Sequence, residues 1–316
     1  MSELNRHWIV GPGALGRLIA LRLATRASEG VEVALLGRRR LAASQTLVTP
    51  DGTPLTRALT MATVDTPPSP PPDVVHLVTK AYAADAAHRT LAAHLPPGTP
   101  LVLWQNGFDC QPRLTERHAG PVLCATTTEG AFVASDDRVV HAGHGQTLVG
   151  ALDGGHRALA DALARRLDGA GLPARAVGDI RARLWQKLAV NAAINPLVAR
   201  FRIRNGQLRD RPFRPMVEAV IIEVAGIMAA EGVAPPEGEG LEGWRALVWR
   251  VVAGTANNRA SMLQDVLAGR PTEHRAILGP LLAAAARHGQ EVPRIAALQA
   301  ELCGLATNLA DPASPC

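Results

Sequence analysis

Lys187, Asn191 and Asn195 recur at four-residue intervals in WQKLAVNAAINPL, residues 185–197. At 3.6 residues per turn they line one face of a helix whose other faces carry Leu188, Ala189, Ala192, Ala193 and Ile194. Asn is a poor helix former, and a surface face more often carries Glu, Arg or Lys. Two readings stand at this point. The stripe is either the solvated edge of an amphipathic helix or the wall of a polar pocket. In such a pocket one ammonium and two carboxamides would meet a small, oxygen-rich ligand. Lys80, after the apolar run HLVT, and Asn106, after LVLWQ, add groups of the same kind. Both fall at the carboxyl ends of predicted strands, where open α/β sheets bind ligands. Asn106-Gly107 also reads as an ordinary turn. In ASMLQDVLAGRPTE, residues 260–273, Ser261 and Asp265 are four apart. Thr272 is placed to cap the next helix, with Glu273 in its first turn, where a carboxylate also complements the helix dipole.

GPGALG places Gly11, Gly13 and Gly16 in the pattern G-x-G-x-x-G, after an apolar run and at the start of a helix-like segment. In that context Gly11 allows a tight turn, Gly13 lets a pyrophosphate approach the backbone, and Gly16 permits close helix–strand packing. Ala14 and Leu15 open the helix whose N-terminal N–H groups face the phosphates, and they are counted with the cofactor site. An NAD site usually carries Asp or Glu at the end of the second strand. This chain reads LLGRRR there, with Arg38 as the first charged residue. A guanidinium at that place pairs with a 2′-phosphate, so NADPH is the expected cofactor.

These residues need a framework to hold them. The chain has 316 residues, long enough for two cores. Up to about residue 178 the pattern alternates: strand-like 7–10, 31–36, 73–79, 100–105 and 121–127, with helix-like 14–27 and 83–94 between them. Two short strands flank SDD at 135–137, and another covers 146–150. This rhythm predicts a mostly parallel sheet flanked by helices. Beyond residue 180 only helical segments follow, at 181–200, 213–231, 241–259, 273–288 and 294–309, separated by Pro- and Gly-rich stretches. The fold class is therefore an α/β Rossmann-type dinucleotide-binding domain, residues 1–178, followed by an all-α C-terminal domain, residues 179–316, that supplies the substrate and catalytic groups.

Composition narrows the function. The net charge of +5 is spread along the chain, and aromatics make up 3%, too few for base-stacking platforms, so nucleic acid is not an expected partner. An anionic small molecule fits the charge as well. The four cysteines and ten histidines show no metal-ligand spacing, so no metal is expected. Reduced thiols in a cytoplasm are the simplest account of the cysteines. The N-terminus carries no signal-peptide pattern, and no run of about 18 apolar residues predicts a membrane span.

Taken in order, GPGALG, VTKAY with QNG, LWQKLAVNAAINPL and NNRASMLQDVLAGRPTE resemble the ketopantoate reductase (2-dehydropantoate 2-reductase) family. CATTTEGA at 124–131 and RNGQL at 204–208 fit the same pattern, so the resemblance covers nearly the whole chain. It implies that Gly11, Gly13 and Gly16 bind the pyrophosphate, that Arg38 binds the 2′-phosphate, and that Lys80 and Asn106 line the cleft near the nicotinamide. It implies Lys187 as general acid, with Glu273 beside it, and Asn191, Asn195 and Ser261 on the substrate's hydroxyl and carboxylate. The expected reaction is NADPH-dependent reduction of 2-dehydropantoate to (R)-pantoate, on the way to pantothenate and coenzyme A. Two alternatives remain: reduction of another branched or hydroxylated 2-oxo acid, and a non-catalytic NADPH-binding sensor. After Thr272-Glu273 the family often has an acidic residue, an aromatic and Asn-Gly, whereas this chain has His274, Arg275, Ala276 and Leu278, which bears on the identity of the substrate. A homodimer is kept as an open expectation.

Overall fold

A computed structural model describes residues 4–307, which divide into two compact units. The first comprises residues up to Gln105 together with Cys110–Arg181; the second comprises Asn106–Asp109 and the residues from Ala182 onward.

The first unit is built on an eight-stranded sheet. Its strands are β1 (Arg6–Val10), β2 (Glu32–Gly37), β5 (Thr60–Thr63), β6 (Val74–Leu77), β7 (Leu101–Leu103), β8 (Val122–Thr127), β11 (Thr147–Gly150) and β12 (Ala174–Ala176). The order is β12-β11-β8-β7-β6-β1-β2-β5, parallel throughout except where β11 meets β8. The run β5-β2-β1-β6-β7-β8 is the doubly wound 3-2-1-4-5-6 arrangement, and its topological switch lies between β1 and β6. Strands such as VVHL and LVL are buried along their length, as a sheet covered on both faces requires. Helices α1 (Ala14–Leu23), α2 (Ala81–Ala92), α3 (Cys110–Arg117) and α4 (Arg157–Gly169) belong to this unit. A second, four-stranded sheet contains the two strands predicted on either side of residues 135–137 and adds two that the sequence pattern does not show. It joins β3 (Ser44–Val48), β4 (Pro54–Ala58), β9 (Gly130–Ser135) and β10 (Arg138–Gly143) in the order β4-β3-β10-β9.

Polar threads run through the apolar interior of this unit. His7, His76 and Trp104 lie on one face of β1, β6 and the end of β7. His7 Nε2 donates to the Leu4 carbonyl (3.0 Å), which leaves Nδ1 to accept from His76 Nε2 (3.0 Å). The Trp104 indole N–H donates to His76 Nδ1 (3.2 Å). Every donor meets an acceptor only when both imidazoles are neutral. Burial enforces that state, pushing the His7 pKa down to about 4 and His76 well below its ordinary value. A second thread joins α1 to the small sheet. Arg22 donates to His141 Nδ1 (3.1 Å), and His141 Nε2 donates to Glu129 (2.6 Å).

The second unit is helical: α5 (Ile180–Phe201, entering from the first unit), α6 (Arg214–Ala230), α7 (Gly240–Gly254), α8 (Ser261–Leu267), α9 (His274–Arg287) and α10 (Pro293–Thr307). From Leu184 to Ala199 almost every residue of α5 is buried or half-buried, which makes it the central helix of this core. Pro215 sits in the first turn of α6 and Pro293 opens α10, places where a missing N–H costs nothing. Glu223 on α6 accepts the backbone N–H groups of Arg294 and Ile295 (2.8 and 2.9 Å), capping α10 from a neighbouring helix. The short turn at Asn205–Arg209 grips the segment leading to α8. The Asn205 and Gly206 N–H groups donate to the carbonyls of Asn258 (3.1 Å) and Ala256 (2.9 Å), and Asn205 Nδ2 donates to Thr255 Oγ1 (2.9 Å).

Candidate active site

The cofactor end is assembled at the switch point of the first unit. Gly11 follows β1 with φ of +112°. A Cβ there would lie 2.8 Å from the backbone of Val78 and Thr79, so only glycine lets the chain ends of β1 and β6 come this close. A Cβ on Gly16 would meet the Gly11 carbonyl oxygen at 2.0 Å, the close packing expected of the third glycine. Gly13 has no heavy atom within 4 Å of its Cβ position and is exposed. It is also the N-cap of α1, with no side-chain cap and no acidic residue in the first turn. Open space in front of uncapped N–H groups is what a pyrophosphate needs, so these residues fit a dinucleotide. Ala14 and Leu15, in the first turn of α1, are half-buried. Arg38, just past β2, is exposed, and no acidic side chain ends that strand. Lys80 occupies the N-cap position of α2, directly after β6.

Arg17, which the sequence does not single out, proves central to this end. Its buried guanidinium donates to the carbonyls of Pro12 (2.9 Å), Ser135 (2.9 Å) and Asp136 (3.0 Å). It ties the Gly-rich loop to the β9–β10 turn. Asp136 in turn binds Arg39 (2.8 Å). No local pattern marks a buried Arg in mid-helix, so this residue was invisible to motif reading.

In the second unit Lys187 and Asn191 are half-buried on α5, and Asn195 is buried. The stripe is therefore not a solvated edge. Burial pushes the Lys187 pKa down to about 8, and the field of Glu273 opposes that shift. Glu273 is itself buried, at the N-cap position of α9. Thr272 does not cap this helix as expected: its hydroxyl pairs with His274 Nδ1 (2.8 Å), and Cys303 Sγ lies 3.4 Å from His274 Nε2. Ser261 is exposed at the first position of α8. Asp265, one turn on, is buried and holds Arg270 (3.0 Å), a clasp across the end of that helix.

Asn106 falls in the helical unit although it follows β7. The reason is steric fit at its neighbour. A Cβ on Gly107 would lie 2.0 Å from the Ala276 carbonyl oxygen, and the Phe108 N–H donates to that same oxygen (3.3 Å). The Phe108 ring packs on Trp185, with centroids 5.3 Å apart. Asn106 is thereby fixed to the helices that carry Lys187 and Glu273. Of the residues that depart from the family pattern, His274, Ala276 and Leu278 are buried and Arg275 is exposed.

The tightest group of possible metal ligands among the described residues is Glu129, His141 and His144, with ligand atoms within 4.8 Å of one another. Both His141 nitrogens are already engaged, and the Arg22 charge lies against the ring, so the group serves as a clamp.

A doubly wound sheet with this turn, joined to a helical unit holding a half-buried lysine beside a buried glutamate, is the framework of a dinucleotide-dependent oxidoreductase. The chain belongs to the ketopantoate reductase family. Residues 8–154 match the description "Ketopantoate reductase PanE/ApbA" and residues 179–305 match "Ketopantoate reductase PanE/ApbA C terminal". A 2-dehydropantoate 2-reductase of Vibrio cholerae is 36% identical over 93% of this chain and 95% of its own. Among solved structures, D-mandelate dehydrogenase with NADH and anilino(oxo)acetate shares the fold with a TM-score of 0.84 at 21% identity, covering 96% of this chain and 99% of that one. The dimeric ketopantoate reductase of Staphylococcus aureus does so with a TM-score of 0.82 at 20% identity, covering 96% and 100%. No helix among the described residues is long and apolar enough to cross a membrane.

Proposed function

We propose that this protein reduces 2-dehydropantoate to (R)-pantoate with NADPH, a step toward pantothenate and coenzyme A. The observation that carries the reading is half-buried Lys187, whose charge Glu273 favours and which is aligned on one helix face with Asn191 and Asn195. Bound NADPH supplies the hydride for the keto carbon. As the keto oxygen gains negative charge, the Lys187 ammonium stabilises it and then delivers a proton to it. Glu273 favours the charged form of Lys187 against its apolar surroundings. No side-chain hydrogen bond within the described residues engages Asn191 or Asn195, so both carboxamides are available to orient the substrate without adding charge. Ser261 and Asn106 add further polar contacts, Arg38 holds the 2′-phosphate, and the open backbone at Gly13 takes the pyrophosphate.

Loss of NADPH absorbance on a panel of 2-oxo acids tests this reading, with 2-dehydropantoate expected to give the highest kcat/KM. A higher value on another 2-oxo acid would favour the second reading, reduction of a different branched substrate. That reading is motivated by the replacement of the family's polar and aromatic residues at 274–278 by buried His274, Ala276 and Leu278. A cytoplasmic location follows from the reduced cofactor and thiols it would use. A homodimer is proposed after the Staphylococcus aureus relative, and light scattering decides it.

A further inference from the structure

We propose that Asp136, on the β9–β10 turn, limits how tightly the protein holds the 2′-phosphate of its cofactor by occupying Arg39. The inference rests on the reading that Arg38 meets that phosphate. The chain leaves β2 through three consecutive arginines, Arg38, Arg39 and Arg40, all exposed. Arg38 makes no hydrogen bond or ion pair among the described residues, whereas Arg39 Nη2 lies 2.9 and 2.8 Å from the two carboxylate oxygens of Asp136. Side chains this exposed, 65% for Arg39 and 70% for Asp136, gain little stability from pairing. The pair therefore calls for an explanation other than folding.

The backbone beneath Asp136 is held far more firmly than its side chain. Arg17 fixes the Ser135 and Asp136 carbonyls and the Pro12 carbonyl with one guanidinium, and Gln45 Nε2 adds a bond to the Asp136 carbonyl (3.2 Å). Gly37, the last residue of β2, packs against the Pro12 ring so closely that a Cβ there would lie 2.8 Å from Pro12 Cγ. The Gly-rich loop, the end of β2 and the β9–β10 turn are thus one rigid cluster. An anion is built into it beside the arginine run. A carboxylate carried on that backbone lowers the positive potential that a phosphate dianion meets and keeps one of the guanidinium groups occupied. NADH has no 2′-phosphate and is indifferent to both effects. Asp136 is accordingly a specificity-tuning residue for cofactor.

The test is fluorescence titration of the full-length protein with NADPH and with NADH. Asp136→Asn keeps the shape and the backbone carbonyl that Arg17 holds, and removes the charge. It is expected to tighten NADPH binding by about three- to tenfold while moving NADH by less than about twofold, with the gain shrinking in 0.5 M salt. Arg39→Ala alone leaves the Asp136 charge unneutralised and is expected to weaken NADPH binding by a few-fold, and added to Asp136→Asn it is expected to remove most of the gain. Asp136→Asn binding NADPH no more tightly than the parent, or tightening both cofactors alike, overturns the proposal. Arg38→Ala in the same series separates the two readings. If it weakens NADPH selectively while Asp136→Asn does nothing, the phosphate site stands and only the role of Asp136 falls. If it weakens neither cofactor selectively, the phosphate reading falls, and the role of Asp136 falls with it.

Discussion

Glu273 is the carboxylate whose field resists the loss of charge that burial imposes on Lys187. Lys187 must be protonated to act as general acid, and burial places its pKa at about 8. The predicted kcat/KM is therefore level below pH 8 and falls as pH rises through that value. Glu273→Gln removes the favourable field, so the fall should move to lower pH. A pH–rate profile of both forms decides this; superimposable alkaline limbs would separate Glu273 from the titration.

Lys187→Met should abolish most activity, and together with Glu273→Gln it should trade that activity for stability. Loss of a general acid lowers kcat by about 10²- to 10⁴-fold. The folded-state pKa of Lys187 lies below its ordinary 10.5, so the folded protein binds fewer protons than the unfolded chain between pH 8 and 10.5, and stability rises across that window. Below pH 8 the desolvated charge costs its full amount, on the order of 3 kcal/mol. Replacing both members, Lys187→Met with Glu273→Gln, should raise Tm at pH 7 by a few degrees, whereas Lys187→Met alone leaves the buried Glu273 carboxylate without its cation and should not. A thermal melt of the double variant that drops instead would mean the charged pair is net stabilising.

Asn191→Ala should act mainly on KM, because a carboxamide that orients the substrate does so in the ground and transition states alike. Steady-state kinetics on the best 2-oxo acid measures the split. An effect confined to kcat would place Asn191 on the reacting oxygen instead.

His7 and His76 predict acid sensitivity of the first unit. Their folded pKa values are depressed, His7 to about 4, so the stability they confer is present above pH 6.5 and lost as pH falls from there toward 4. His76→Leu should cost about 1–3 kcal/mol for each of the two partners it strands, the His7 acceptor and the Trp104 donor. Urea unfolding at pH 7 and pH 5 reads both effects: the variant should be less stable than the parent at pH 7 and lose less stability on going to pH 5, and a variant as stable as the parent at pH 7 would rule out the thread as a source of stability.

Much of this architecture is legible in the chain. Apolar runs such as VVHL and the Gly11–Gly13–Gly16 spacing belong to elements whose structure is dictated locally, and they identify the main sheet and its turn. Of the four-stranded sheet only the strand pair flanking residues 135–137 is legible. β4 alternates between exposed and half-buried residues, and β3 finds its parallel partner β10 some ninety residues later, with Thr46 opposite Arg138. Short elements such as α3 and β12 carry too few apolar positions to show a period. At the site, four-residue spacing selects Lys187, Asn191 and Asn195, but nothing in the order of residues reveals that Thr272 turns to His274, or that Arg17 reaches the β9–β10 turn. Those depend on contacts between distant segments.

The close fit of Gly107 against the Ala276 carbonyl has a consequence for recombination among relatives. Exchanging residues 182–316 for those of another family member looks like a clean swap of one half for the other. It would leave the Asn106–Asp109 segment facing a foreign helix, with Asn106 displaced from the groups it accompanies. A functional chimera should therefore carry its own four residues at 106–109 along with the helices, as a small insert inherited from the opposite parent.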